Sequence, residues 1–537
     1  MLFRSGRVRE LPEVHGLYRN DGNGHFTAIQ FQPGVYQDEK GNPIRPYRDW
    51  GLAAMFRDIN GDGVPDLYVC NDNTSPDRIW INNGNGTFRA IEPLSFRHTS
   101  RSSMGVDFGD LDRDGRDDVF VVDMLARMHG KRMTQLVRDR PSMADIERPE
   151  SRPQFNRNTM FFGRADGTFV ESALMAGLAA TDWTWSPLLL DVDLDGYEDV
   201  LVTNGFEFDV MDQDSHNEIK DGRRRMSDAQ LKRSMQLHPR WRTRNAAFHN
   251  MTAGVFRAAG AEWGFDHEGV SYGMAAADLD GDGDLDLVVS NLNEEATLYR
   301  NNSGADRVGV RLKGMGLNSQ GIGARIRLTG GGVAQSQEMI CGGRYLSGDE
   351  ALRVFAFRPD RDRNLRLEVQ WRTGRKSFVT GVEANRVYEV YESGSVGAGA
   401  GAAPTTVPAS TVFTELEPRI SHGHVDGEFD DWARQPTLPR RLSHLGPGVA
   451  WLDFDGDGWE DLVITSGRGG ACSIYHNDGG RGFSRMGGPP EATMDEGSVI
   501  GWMDGLGNRR VLIATSNLEV APGRDSDRKS TRLNSSH

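Results

Sequence analysis

Five stretches of the chain share one plan: "DINGDGVPD" at 58–66, "DLDRDGRDD" at 110–118, "DVDLDGYED" at 191–199, "DLDGDGDLD" at 278–286 and "DFDGDGWED" at 453–461. Each keeps an oxygen-bearing side chain at positions 1, 3, 5 and 9 and glycine at position 6. Each then runs straight into an apolar strand such as "LYVCND", "VFVVDM" or "LVVSNL". Carboxylates packed this densely repel one another unless something neutralises them. A hard cation such as Ca²⁺ takes six to eight oxygens at roughly 2.3–2.6 Å, and alternate residues of a tight loop can supply them together with the position-7 carbonyl. Glycine at position 6 permits the sharp turn. A solvated acidic turn would account for one copy, but five in register argue for ligation.

The candidate ligands follow from the spacing. In the first loop they are Asp58, Asn60, Asp62, the carbonyl of Val64 and Asp66; in the second, Asp110, Asp112, Asp114, the carbonyl of Arg116 and Asp118. The third offers Asp191, Asp193, Asp195, the carbonyl of Tyr197 and Asp199. The fourth offers Asp278, Asp280, Asp282, the carbonyl of Asp284 and Asp286, and the fifth Asp453, Asp455, Asp457, the carbonyl of Trp459 and Asp461. About five structural Ca²⁺ sites are expected. An EF-hand would need glutamate at position 12 and flanking helices; here position 12 is apolar and the flanks read as strands.

A second signature recurs downstream of the loops, in "LYRNDGNGHF" at 17, "IWINNGNGTF" at 79, "MFFGRADGTF" at 160, "AFHNMTAGVF" at 247, "LYRNNSGADR" at 298 and "IYHNDGGRGF" at 474. An apolar pair, an Asn/Asp/Gly turn and an aromatic describe a β-hairpin. The first two loops start 52 residues apart, which suits a four-stranded propeller blade; the next intervals are 81 and 87. The extra residues, about 124–158 and 206–245, read as insertions. Both leave from strands that follow a cation loop, so they are expected side by side on the face opposite the loops. Loops held by a rigid scaffold are the usual carriers of binding residues. Arg132, Met133, Phe155, Arg224 and Trp241 make these insertions the expected partner surface, a basic and aromatic one. "SDAQLKRSMQL", 227–237, predicts an amphipathic helix capped near Ser227 or Asp228.

Loop and hairpin together resemble the FG-GAP/VCBS repeats of integrin-α-like β-propellers, over about 1–304 and 411–520. The resemblance implies loop carboxylates that hold structural Ca²⁺. Residues 305–392 read as a small antiparallel β-domain of roughly seven strands. Through "NSQGIGARI", "GGRYLSG", "LEVQWRTG" and "NRVYEVYE" they resemble the ASPIC/UnbV domain of cartilage acidic protein relatives. "FAFRPDRDR" departs from the glycine-rich turn usual there. The expected class is all-β: an incomplete propeller at 1–304, the β-domain at 305–392, a flexible linker at 393–410, further repeats at 411–522 that either start a second propeller or fold back across the linker to complete the first ring, and a disordered, non-native tail at 523–537. The 504 region, "WMDGLGNRRVLIATSN", lacks the later carboxylates and is expected to hold no strong site.

A net charge of −15 sets nucleic acid aside as a partner. The three cysteines, Cys70, Cys341 and Cys472, show no metal or disulfide spacing, and Cys70 and Cys472 read as buried thiols. No apolar run is long enough for a transmembrane helix. The N-terminus lacks a signal peptide; because the chain starts inside a repeat, an export signal upstream and an extracellular or cell-surface location are expected. Sites of this kind suit extracellular calcium levels.

No G-x-S-x-G, H-E-x-x-H or P-loop is present. His422 and His424 in "SHGHVD" read as a polar loop before they read as a metal pair. Trp183 and Trp185 read as blade packing before a sugar platform. The expectation is a non-catalytic, calcium-stabilised extracellular binding or adhesion scaffold with a protein or glycan ligand. The alternative is a secreted polysaccharide- or phosphoester-cleaving enzyme, which convergent acid and base residues in the central channel would favour.

Overall fold

The apolar run behind each loop becomes the second strand of a sheet and is buried on both faces, as in Asp118–Val122 and Asp199–Asn204. That explains why these runs are continuously apolar rather than alternating. The structure is a computed structural model. It describes residues 12–534 apart from 23, 74, 136–151, 223–233, 253, 359–363, 395–412, 416–419, 435–442, 444–446, 488–490, 505–507 and 517–529.

Six sheets follow one another. In five of them a cation loop joins the first strand to the second. The first sheet contains Gly51–Arg57, Asp66–Asn71, Arg78–Asn82 and Phe88–Ala90, with Tyr36–Gln37 added at its outer edge. The second holds Gly105–Gly109, Asp118–Val122, Thr159–Gly163 and Phe169–Glu171. The third holds Thr184–Leu190, Asp199–Asn204, Ala246–Asn250 and Phe256–Ala258. The fourth is Ser271–Ala277, Asp286–Asn291, Thr297–Asn301 and Phe413–Glu415; the fifth is Val449–Leu452, Asp461–Ile464, Ser473–Asn477 and Phe483–Met486. Glu496–Met503, Arg509–Thr515 and Ser530–Asn534 form the sixth. The first strand of each sheet packs on the first strand of the next. An apolar cluster fills every gap, from Met55, Tyr68 and Val106 between the first two sheets to Ala450, Val499 and Val511 between the last two. This is a row of propeller blades.

Three expectations are corrected. The repeats at 411–522 do not start a second propeller. Phe413–Glu415 pairs with Thr297–Asn301 and completes the fourth blade, and Val449 and Trp451 of the fifth share a core with Ala275 and Leu298 of the fourth. The unpaired edge of a three-stranded blade accounts for this, because the missing strand is recruited from beyond the linker. The 523–537 tail is not wholly without structure, since Ser530–Asn534 pairs with Arg509–Thr515. The β-domain has its seven strands, in sheets of three and four, but Arg307–Lys313 and Arg386–Tyr391 run parallel. The N-terminal hairpin, Tyr18–Gly22 with His25–Ala28, pairs within itself, and no strand pairing joins it to 449–515 among the described residues.

One short stretch of the β-domain reaches all six blades. A Cβ at Gly343 would sit 2.8 Å from the Met55 side chain of the first blade. Arg344 pairs with Asp107 of the second at 3.4 Å, and the Tyr345 ring lies 5.0 Å from Trp185 of the third. Met274 of the fourth donates its N–H to Ser347 Oγ at 2.8 Å. Gly348 donates to the Val449 carbonyl of the fifth at 3.1 Å, and a Cβ on it would lie 3.6 Å from the Val499 carbonyl of the sixth. The blades therefore curve around "GGRYLSG", which fills their central channel. Most of the linker and the "FAFRPDRDR" turn lie outside the described residues. No helix among the described residues is long and apolar enough to cross a membrane.

Candidate metal centre

The five loops repeat one hydrogen-bonding scheme. The position-6 glycine N–H binds the position-1 carboxylate, at 2.8 Å for Gly63 to Asp58 and for Gly196 to Asp191, and at 3.1 Å for Gly283 to Asp278. Gly115 and Gly458 do the same to Asp110 and Asp453. The position-7 N–H binds the position-5 carboxylate: Val64 to Asp62, Arg116 to Asp114, Tyr197 to Asp195, Asp284 to Asp282 and Trp459 to Asp457, all within 2.8–3.0 Å. Positions 4 and 6 both adopt left-handed backbone. Position 4 is glycine in three loops, whereas Arg113 and Leu194 hold that conformation at φ 64° and 56°.

The position-9 aspartate explains why loop and hairpin recur together. One of its oxygens accepts the position-2 N–H, as Asp286 does from Leu279 at 2.9 Å; the other accepts an N–H from the hairpin, Asn301 at 2.7 Å. Asp66, Asp118, Asp199 and Asp461 repeat this with Asn82, Gly163, Asn250 and Asn477. The hairpin asparagine then reaches the preceding blade. Asn250 donates its amide to the Leu111 carbonyl at 2.9 Å, Asn301 to Val192 at 3.0 Å and Asn477 to Leu279 at 3.3 Å.

Burial, with neighbouring carboxylates adding, pushes Asp66, Asp110 and Asp278 up to about 7 and Asp118 up to about 9. Asp191, Asp199 and Asp286 are raised well above the usual range for the same reasons. The loops are thus poised to take positive charge. One buried oxygen on each of Asp58, Asp193 and Asp278 finds no hydrogen-bond donor among the described residues. Asp110 with Asp112 and Asp114, Asp191 with Asp193 and Asp199, and Asp278 with Asp280 and Asp282 each bring oxygens within 4.8 Å of one another, close enough to share a metal ion. The donor set fits a hard cation. At the sixth blade Asp504 accepts from Asn508 at 2.9 Å and is paired with Arg510 at 2.8 Å, so its charge is already met.

Two groups of residues around the loops are not apparent from the loop spacing. His249 and His476 stand beside the third and fifth loops; the only sequence signal is that "AFHN" and "IYHN" carry histidine at the same place in the hairpin. The β-domain also lies across the loop face. Glu338 accepts the Asp58 N–H at 3.3 Å, and Arg325 grips Asp117 at 2.6 and 2.8 Å. Arg358 lies 3.8 Å from Asp195, Arg307 pairs with Asp282 at 3.0 Å, and Arg311 reaches Glu460 at 4.0 Å. One domain thereby touches all five loops. Burial raises Asp117, but Arg325 and Arg57 outweigh it and hold the carboxyl below its ordinary range.

Between the β-domain and the inner strands lies a cavity of about 50 Å³ lined by Asp107, Glu198, Glu338, Arg344, Glu350 and Arg353 among others. Its charges are paired internally: Arg344 with Asp107 and Asp349, Glu198 with Arg113 and Glu350 with Arg311.

At the far ends of the strands the two insertions meet. Lys131 pairs with Asp209 and, at 3.4 Å, with Asp212; it also lies 5.3 Å from the Trp241 ring. Gln135 bridges to Asp212. The surface is less basic than expected. Arg132 donates to the carbonyl of Ala126, and Arg240, Arg242 and Arg244 pair with Glu207, Glu294 and Asp266. Met133 is exposed, Phe155 and Trp241 are half-buried, and Arg224, Ser227 and Asp228 lie outside the described residues. Trp183 and Trp185 are core: Trp183 stacks on Phe206 at 4.2 Å, and Trp185 donates to the Gly205 carbonyl at 2.7 Å. His422 is buried against Ser473 Oγ at 2.9 Å; burial, then His424 and Arg485, push its imidazole down to about 4. Cys70 and Cys472 are buried free thiols.

The FG-GAP-like repeat family matches residues 58–121, and the ASPIC and UnbV family matches residues 314–396. A comparison with curated proteins finds no match. Among solved structures, the chain is similar to an Agrocybe aegerita lectin described for its recognition of non-reducing terminal N-acetylglucosamine. The identity there is 12%, over 83% of this chain and 84% of that one, with a TM-score of 0.29. It is also similar to the rhamnogalacturonan lyase YesW, at 13% identity over 93% of this chain and 77% of that one, with a TM-score of 0.27. The chain thus carries one segment that matches an FG-GAP-like repeat and, C-terminal to it, one that matches an ASPIC and UnbV domain.

Proposed function

We propose that this protein is a non-catalytic, calcium-stabilised scaffold that works outside the cell and binds a protein or glycan ligand through its two insertions. The observation that carries the reading is the division of the molecule's two faces. The ASPIC and UnbV domain lies across the loop face and fills the channel, while the insertions pack together at the opposite ends of the strands. Ca²⁺ fits the all-oxygen loops, and its role is to hold the frame.

The test is to replace each insertion by a short turn. The doubly shortened chain is expected to keep its Ca²⁺-dependent melting and to lose every ligand found for the full chain on glycan and protein arrays. Binding that survives would move the surface elsewhere. The rival reading, a secreted enzyme cleaving polysaccharide or phosphoester, draws on the charged cavity between the domains. Turnover of such substrates that is lost in Asp349→Asn, with folding intact, would favour it.

A further inference from the structure

The third and fifth loops differ from the other three. In each hairpin one residue precedes the one whose N–H is fixed on the position-9 aspartate. That residue is Ile81 in the first blade, Phe162 in the second and Arg300 in the fourth, but His249 in the third and His476 in the fifth. His249 Nε2 lies 3.3 Å from Asp193 Oδ2 and 3.8 Å from Asp195 Oδ2. His476 Nδ1 lies 3.1 Å from both Asp455 Oδ2 and Asp461 Oδ1, and its Nε2 lies 4.0 Å from Asp457 Oδ2. In both loops the imidazole and the carboxylates of positions 3 and 5 bring donor atoms within 4.8 Å of one another.

The third loop is the more telling. His249 Nε2 is a buried atom that makes no hydrogen bond with the described residues, although a carboxylate oxygen is near. The second oxygen of Asp193 is likewise buried and has no donor. His249 Nε2 and one Asp193 oxygen thus stand without a hydrogen-bond partner among the described residues, inside a group of side chains close enough to share a cation. Asp193 also belongs to a second such group with Asp191 and Asp199, so it links the imidazole to the rest of the loop. The Trp263 ring, 5.5 Å from that of His249, backs the imidazole.

The chemistry of the donor separates the loops. Calcium takes oxygen ligands, and an imidazole nitrogen adds little for it. Borderline divalent metals take mixed nitrogen and carboxylate sets readily. Resting on the reading that these loops hold cations, we infer that loops three and five are mixed imidazole–carboxylate sites for a borderline divalent transition metal of the zinc kind, whereas loops one, two and four are all-oxygen calcium sites. The chain would then carry two classes of cation on one scaffold, the imidazole class alternating with the oxygen class at the third and fifth blades.

The test uses the full chain, saturated with Ca²⁺ and titrated with Co²⁺ while its visible absorption is followed. Two equivalents of Co²⁺ are expected to bind with nitrogen-containing spectra and to resist excess Ca²⁺. His249→Ala and His476→Ala should each lose one equivalent, with an affinity drop on the order of tenfold or more at that site. Arg300→His, which places an imidazole at the same hairpin position beside the fourth loop, should add a third equivalent, and this readout does not depend on how well the alanine variants fold. Co²⁺ that is displaced equally from all loops by Ca²⁺, or an unchanged stoichiometry in the histidine variants, overturns the assignment while leaving the calcium scaffold standing. Binding of neither ion would overturn the cation reading of all five loops together.

Discussion

At the scale of single residues, the loops are an electrostatic problem with two solutions, a proton or a metal. Asp66, Asp110 and Asp278 are pushed up to about 7 and Asp118 to about 9. In the metal-free chain these groups hold protons when folded that they release when unfolded. Their contribution to stability is therefore complete below the ordinary carboxylate range near 4 and is lost as pH rises through about 7 to 9. The metal-free protein is expected to melt at a higher temperature at pH 5.5 than at pH 8.5. Saturating Ca²⁺ should reverse that order, because ligation requires the deprotonated form. Scanning calorimetry at the two pH values, with chelator and with calcium, checks both signs. The clustering of the loop oxygens was legible, since the spacing of the oxygen side chains brings them within reach of one another. His249, Arg325 and Arg307 were not, because each comes from a distant strand and reaches a loop only through the tertiary fold.

At the scale of elements, the hairpin asparagine is the part that turns separate blades into a row. Asn301 donates its N–H to Asp286 of its own blade and its side-chain amide to the Val192 carbonyl of the preceding one. Asn301→Ala leaves that buried carbonyl without its donor and is expected to cost about 1–3 kcal/mol, read from denaturant midpoints. The second blade has Gly163 at this position, and restoring the repeat's own asparagine there should destabilise the chain. A Cβ on Gly163 would sit 2.7 Å from the Asp117 carbonyl. The hairpins and loop-exit strands were legible from their period and turn residues. The assignment of the fourth blade's last strand was not. Phe413–Glu415 is three residues of unremarkable sequence, and only the open edge of Thr297–Asn301 gives it a place.

At the scale of the whole molecule, one domain holds six blades by a loop through their centre and by arginines on their rim. Arg325 and Asp117 are the best-paired contact on that rim, with side chains only 14% and 7% exposed. Arg325→Ala leaves the Asp117 carboxylate with Arg57 alone and is expected to destabilise by about 3–5 kcal/mol. Hydrogen exchange should then quicken through 338–353 before it does so in the blade strands. Equal acceleration everywhere would mean that domain and blades unfold as one unit. Composition and repeat spacing disclosed the two kinds of domain. They could not disclose that one is threaded through the other, because the contacts of "GGRYLSG" are spread over strands from Gly51 to Met503.

The same threading sets a clock. The fourth blade's outer strand is made about 110 residues after the strand it pairs with, and a ribosome adding roughly 5–20 residues each second needs about 5–20 s to cover that distance. For that interval every nascent chain shows the bare edge of Thr297–Asn301. The "GGRYLSG" stretch waits meanwhile for the fifth and sixth blades, which have not yet been translated. The order of segments along the chain therefore sets how long that edge stays open to other partners. A slowing of translation between the two halves of that blade would harm the yield of folded protein more than an equal delay anywhere in the first three.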